Sequence, residues 1–357
     1  MRPQARTSIH PQILDHMEAP VTQNDENSIL TVSNLSTRFT LGRETYKAVD
    51  GVSFDIVPGE CLGIVGESGS GKSVTALSLL GLVSSPPGEI TSGSIHYRGE
   101  NLLKTSLDTL QHLRGNRIAY VFQNPLTTLN PLLTAGAQIR ESLKRHQRLS
   151  GAEMQQKVID LLKQVQIPNA EERARAYPHE LSGGMRQRVG IAMALANDPE
   201  IIIADEPTTA LDVTIQAQIL ELMDELKEKT KSSIIIITHD LGVVAKYADR
   251  VMVMYAGKPV EFSDVNTVFY KPCHPYTLGL MKSITRLDEG KKDKLKPIEG
   301  TPPSLIDLPR GCTFRRRCEY SIEECKKAFP DFVGIEKGHF ASCYRASEFL
   351  SGSLSRD

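Results

Sequence analysis

Short apolar runs alternate with amphipathic stretches along most of this chain. Cys61–Val65, Ile118–Phe122, Ile201–Ala204, Ile234–Thr238 and Val251–Tyr255 have the length and continuity of strands buried on both faces. Before them, Ile29, Thr31, Val32 and Leu35, then Val49, Val52, Phe54 and Ile56, read as strands that close on a Pro58-Gly59 turn. Between the runs the period changes. Val74–Leu82 reads as a helix broken by Pro86-Pro87-Gly88; Met154, Val158, Leu161, Leu162 and Val165 recur at helical spacing; Met185–Ala196 is rich in helix formers; Ile215, Ile219, Leu220, Met223 and Leu226 trace one helix face. Strands alternating with helices predict an α/β layered fold around a largely parallel sheet.

Residues 1–27 read as a flexible polar tail without an apolar h-region, so the expectation is no secretory signal and a cytosolic compartment; Met17 is an alternative start. Composition shifts near residue 263, where Pro272, Pro275, Pro297, Pro302, Pro303 and Pro309 and the charged run Asp288–Lys296 lead to a cluster of cysteines; 346–357 reads as a second tail. The 357 residues suffice for about two domains. With 42 Lys plus Arg against 43 Asp plus Glu, the balance argues against a coat for nucleic acid. No run reaches the ~18 apolar residues of a membrane span, so any work at a membrane requires docking on a partner.

The candidate chemistry sits where the strands end. Gly66-Glu67-Ser68-Gly69-Ser70-Gly71-Lys72-Ser73 fits G-x-x-x-x-G-K-[ST] between a strand and the helix that Val74 opens. Its glycines free backbone N–H groups to curl around phosphate oxygens, and the helix points its positive end at the same anion. Lys72 suits the β- and γ-phosphates, and the Ser73 hydroxyl suits Mg²⁺. Asp205 and Glu206 end an aliphatic strand at the edge where an open α/β sheet takes its ligand; Asp205 suits Mg²⁺ and Glu206 suits activation of water. Gln123 and His239 each follow a strand at that edge. In Leu181-Ser182-Gly183-Gly184, Ser182 can cap the following helix and the glycines leave N–H groups bare for an anion.

Together these motifs resemble the nucleotide-binding subunit of ABC transporters over about 29–262: a phosphate loop, a Q-loop Gln123, a signature at Leu181–Met185, Asp205-Glu206, a D-loop at Ala210-Leu211-Asp212 and a switch His239. Met185 departs from the commoner Gln. The resemblance implies a P-loop NTPase-type ABC nucleotide-binding domain over 28–262, with a parallel sheet core, an antiparallel β part and an α-helical subdomain at about 124–183. It implies that Gly66 to Val74, Gln123 and Asp205 bind ATP, and that Ser73, Gln123 and Asp205 hold Mg²⁺. Glu206 and His239 are then catalytic. Ser182, Gly183, Gly184 and Asp212 meet the partner's ATP in a head-to-tail dimer. The family stacks an aromatic on adenine; Phe39 fits by strand position, with Tyr46 the alternative because Leu41–Thr45 looks like an inserted turn.

A narrower resemblance is to the oligopeptide/dipeptide importer subfamily, which includes nickel importers, and within it to the D-type ATPase. It rests on Asn124–Pro131, Leu181–Arg188, Cys273–Thr277, and Gly300–Pro303 leading to Gly311–Phe314, and it implies a C-terminal extension over 263–345. The implied partners are a second, different ATPase chain, two transmembrane permease subunits and a substrate-binding protein, with this chain peripheral on the cytoplasmic face of the bacterial inner membrane. The cargo, peptide, nickel chelate or another small molecule, is not encoded here. A soluble ABC ATPase acting on nucleic acid or ribosomes fits less well, given one phosphate loop and no long heptad run.

Cys312, Cys318, Cys325 and Cys343 read C-x5-C-x6-C-x17-C, four thiols suited to zinc or to an iron–sulfur cluster. The subfamily resemblance favours [4Fe–4S] in a structural role. Arg315, Arg316 and Arg317 lie between two of these ligands, either offsetting a cluster's charge or forming a solvated basic face; Cys61 and Cys273 read as buried or incidental.

Overall fold

A computed structural model of the chain describes residues 27–124, 128–209, 211–283 and 298–354. The expected N-terminal tail up to residue 26, Pro125–Thr127 of the first subfamily stretch, Ala210 of the D-loop, the charged run Asp288–Lys296 and the last three residues lie outside it. The second tail expected over 346–357 instead opens with a helix, Ala346–Leu350, that buries Ala346 and Phe349.

Two sheets organise the described residues. The first is antiparallel: β1 (Leu30–Leu41) pairs with β2 (Glu44–Ile56) through a tight turn at Gly42-Arg43, and on its other side with β4 (Gly88–Tyr97), which pairs with β5 (Glu100–Asn101). The second has eight strands. β9 (Arg250–Tyr255), β3 (Cys61–Val65), β8 (Ser233–Thr238), β7 (Ile201–Asp205) and β6 (Ile118–Val121) run parallel in that spatial order. They are the five apolar runs of the sequence, and their side chains divide between two faces. Ile202, Ala204, Ile234, Ile236, Val251 and Val253 join the core on the helical side. Ile201, Ile203, Ile235, Ile237, Met252 and Met254 meet Val49, Val52 and Phe54 of the antiparallel sheet. Neither face is solvated, so neither alternates with polar residues.

Helices Ala135–His146, Gly151–Gln164 and Gly183–Leu195 bury Ile139, Leu143, Val158, Leu162 and Val189 together. Each starts on a side-chain cap, from Thr134, Ser150 and Ser182; Ser150 and Glu153 form a reciprocal capping box. The helix after the phosphate loop is Lys72–Leu79, opening two residues before Val74 because Gly71, at φ 101°, ends the loop in the left-handed region.

The boundary expected at 262/263 falls inside a strand. β10 (Lys258–Asp264) pairs antiparallel with β9, and on its outer side with β12 (His339–Ala341), which pairs with β11 (Val333–Glu336). The extension is therefore the continuation of the core sheet. Buried Glu261 latches the two: its carboxylate accepts the backbone N–H of Cys273 at 2.6 Å and of His274 at 3.0 Å, and meets His339 Nε2 at 2.8 Å. Cys273, read as buried or incidental, is buried at this latch.

Candidate functional site

Gly66 and Gly71 set the path of the phosphate loop. A Cβ on Gly66 (φ 153°) would lie 2.2 Å from the Met254 carbonyl oxygen, and one on Gly71 would lie 2.3 Å from that of Ala48, so the backbone passes where only glycine fits. Lys72 is buried and donates from Nζ to the carbonyls of Gly66 at 2.7 Å and Glu67 at 2.9 Å. Burial pulls its pKa down, against the nearby Glu206, Asp205 and Glu67 carboxylates. Ser70 Oγ is buried without a protein partner, a polar atom suited to meet an anion on this loop. Ser68 and Gly69 are exposed, and Val74 is half-buried on the helix.

The carboxylates stand beside the loop. Ser73 Oγ donates to Asp205 Oδ1 at 3.0 Å, and the Tyr120 hydroxyl donates to Asp205 Oδ2 at 2.9 Å. Burial pushes the Asp205 carboxyl above the usual range, although both hydrogen bonds oppose it. Glu206 follows at φ 44°, the left-handed region that costs a non-glycine residue on the order of 1–3 kcal/mol. Thr209 Oγ1 donates to its Oε2 at 2.7 Å, Gln123 Nε2 donates there at 2.9 Å, and His239 Nδ1 stands 3.6 Å away. Burial raises the Glu206 pKa, but the Thr209 bond, His239 and Lys72 more than offset it, holding the carboxylate ionised below the usual range. The predicted set thus converges, with one difference in pairing: Gln123 bonds to Glu206 rather than joining Ser73 and Asp205. Tyr120 and Thr209 were not foreseen; Tyr120 is set by the register of β6, and Thr209 by the turn in which its N–H bonds to the Glu206 carbonyl at 3.1 Å.

A cavity opens from the loop, lined by Tyr46, Glu67 to Ser70, Tyr255, Ala256 and Pro302 to Ile306. Phe39 does not line it. Phe39 and Tyr46 are cross-strand neighbours in the β1–β2 hairpin with stacked rings 5.9 Å apart, and of the two Tyr46 lines the cavity.

Residues 49–209 match the sequence profile of the ABC transporter family, and 260–325 match that of the oligopeptide/dipeptide transporter C-terminal region. The dipeptide transport ATP-binding protein DppD of Bacillus subtilis (strain 168) is 49% identical over 316 residues, 88% of this chain and 94% of that protein. This chain belongs to the family of ABC transporter ATP-binding proteins. A probable peptide ABC transporter ATP-binding protein, y4tR of Sinorhizobium fredii, is 47% identical over 90% of this chain and 96% of its own length. Among solved structures, the dimeric ATP-binding cassette MJ0796 bound to ADP and Pi superposes with a TM-score of 0.60 at 32% identity, covering 66% of this chain and 98% of that one.

The signature of this ABC ATPase lies apart from the cavity. Ser182 and Gly183 are exposed, Ser182 Oγ accepts the Met185 N–H at 3.3 Å, and a Cβ on Gly184 would press on Ile215 at 2.8 Å. Asp212 is exposed and opens the helix Val213–Thr230. None of the four residues lines the cavity on the chain's own phosphate loop.

The four clustered cysteines come together: the Cys343 thiol feels the charge of Cys318, Cys312 and Cys325, and burial is the main reason its pKa rises to about 12. Backbone N–H groups are directed at three of the sulfurs, from Phe314 and Arg315 to Cys312, from Tyr320 to Cys318, and from Arg345 to Cys343 at 3.4 Å. Of the three arginines beside them, Arg317 is neither solvated nor turned to the cysteines. Its side chain is 6% exposed and forms a two-pronged ion pair with Glu67 of the phosphate loop, at 2.7 and 2.9 Å. The sequence carried no local signal for that pair.

Proposed function

We propose that this chain hydrolyses ATP to power import of di- or oligopeptides through separate transmembrane subunits. The exposed signature carries this reading. A chain that presents Ser182 to Gly184 away from its own phosphate loop supplies half of each of two composite sites, and a second cassette in head-to-tail arrangement completes them. The match of the C-terminal region to oligopeptide/dipeptide transporters supports the peptide class. Among the described residues no helix is long and apolar enough to cross a membrane, in keeping with a peripheral subunit that docks on two permease chains at the cytoplasmic face, supplied by a substrate-binding protein.

In this reading Lys72 and the loop N–H groups bind the β- and γ-phosphates. Ser73 and Asp205, already 3.0 Å apart, are a hydroxyl and a carboxylate suited to a hard divalent cation, with Gln123 within reach of the same edge through Glu206. Mg²⁺ held there neutralises phosphate charge. Glu206 accepts a proton from the attacking water; the water oxygen bonds to the γ-phosphorus as the bond to the ADP oxygen breaks, and His239 contacts the γ-phosphate. Glu206→Gln is expected to keep ATP binding and lose turnover by about 10²–10³-fold. Unchanged turnover would remove Glu206 from the role of base.

The four-cysteine site suits [4Fe–4S]. Its donors are all sulfur, and backbone N–H groups directed at them stabilise thiolates. Among the described residues, no three of these four sulfurs lie within 4.8 Å of one another. A [4Fe–4S] core held by these four thiolates would serve a structural role, with a tetrahedral zinc as the alternative.

A further inference from the structure

Arg317 lies far from the phosphate motifs in sequence and touches them in space. A guanidinium has five N–H donors, and each is used. Two go to the Glu67 carboxylate. The others reach the Glu299 carbonyl at 2.9 Å, the Ile298 carbonyl at 3.3 Å and the Tyr255 hydroxyl at 3.4 Å. The planar group also lies 5.9 Å from the ring centres of Tyr255 and Phe314. From a second direction the Tyr276 hydroxyl accepts the backbone N–H of Glu67 at 2.8 Å. Glu67 is thus held at both ends by residues C-terminal to the cassette motifs. Arg317 also pins Ile298 and Glu299, which lead directly into Pro302 to Ile306, the segment that shares a cavity with Tyr46 and the phosphate loop. That segment is largely apolar, and Ile306 is 48% exposed, as a residue waiting for a hydrophobic face would be.

We infer that the C-terminal region is part of the nucleotide site itself. Arg317 is a positioning residue: it fixes the second residue of the phosphate loop, and with it the direction of the loop N–H groups, while it anchors a wall of the cavity. Pro302 to Ile306 form that wall, against the nucleoside rather than the phosphates. The inference rests on the assignment of the loop to ATP, and it divides the labour between two ligands. Loosening Arg317 disturbs both the phosphate cradle and the wall. Changing Ile306 disturbs the wall alone.

The test is equilibrium binding of ATP and of inorganic tripolyphosphate, without divalent cation, to the full chain. Lys72→Ala should abolish binding of both. Arg317→Lys keeps the charge but cannot fill a two-pronged site, and should weaken both ligands about ten-fold. Glu67→Gln keeps the shape of the loop side chain and should weaken both about three-fold or more. Ile306→Ser should weaken ATP about three-fold and leave tripolyphosphate unchanged. Thermal midpoints are recorded alongside; if Arg317→Lys does not fold, Glu67→Gln and Ile306→Ser carry the test. Wild-type affinity in the Arg317, Glu67 and Ile306 variants, with binding lost in Lys72→Ala, overturns the inference and leaves the loop assignment standing. Undiminished binding by Lys72→Ala overturns that assignment instead.

Discussion

Replacing Glu261 by glutamine should unlatch the C-terminal extension from the core sheet. The carboxylate is fully buried and serves three donors: Cys273 N–H and His339 Nε2 on one oxygen, His274 N–H on the other. Glutamine has the same shape and one acceptor. With its oxygen toward Cys273 and His339, its amide nitrogen points at the His274 N–H, donor against donor. A hydrogen bond to a charged acceptor contributes about 1.5–3 kcal/mol and a stranded buried donor costs about 1–3 kcal/mol, so the substitution should destabilise the fold by ~3 kcal/mol. Glu261→Leu removes both acceptor oxygens, leaves all three donors unpaired and should cost about 5 kcal/mol. Urea unfolding followed by circular dichroism measures the global effect; with m of about 3 kcal/mol/M, the midpoint should fall by about 1 M in the glutamine variant. Amide exchange supplies the local test, since His274 should lose protection while Cys273 keeps it. A midpoint within about 0.3 M of wild type, with His274 still protected, would refute the reasoning.

Two further outcomes can be measured directly. Tyr46→Ala should weaken ATP binding about ten-fold, the scale of one lost base–aromatic stack, and Phe39→Ala by less than about three-fold; the reverse order would make Phe39 the platform. Anaerobically purified protein should carry about four iron and matching acid-labile sulfide per chain, lost when the four clustered cysteines become serine; one zinc without sulfide would replace the cluster by a zinc staple, and metal content unchanged in the serine variant would sink the site.

The parts legible in the sequence are those whose cause is local. The five parallel strands stand out because burial on both faces leaves unbroken apolar runs, and the phosphate loop stands out because its glycines are demanded by backbone crowding within a few residues. β4 was not legible: its residues are mostly polar and half-exposed, so no period marks it. β11 and β12, four and three residues long, are too short to show a period at all. Strand position favoured Phe39 over Tyr46, but a hairpin makes them neighbours, and it is Tyr46 that lines the cavity. The Arg317–Glu67 pair spans 250 residues of sequence and Tyr276–Glu67 spans 209, and nothing at either end announces the other. Gln123 was placed at the correct edge, but its bond to Glu206 depends on side-chain directions that spacing does not fix.

The addition of two short strands beside β10 bears on how this protein can be cut, expressed and kept in solution. A chain stopped at Asp264 would end with β10 as the border of the sheet, its outer backbone groups at Glu261 and Phe262 stripped of Ala341 and Phe340. Val260 to Ser263 are all buried in the intact protein. Such a border invites the same strand of another copy and is a starting point for aggregates. In the full chain the border is β11 instead: four residues, bent by a register shift, turning at Lys337-Gly338 and carrying the half-exposed Glu336. A short, charged border of that kind repels further pairing, so the extension guards the cassette against its own kind as well as completing it.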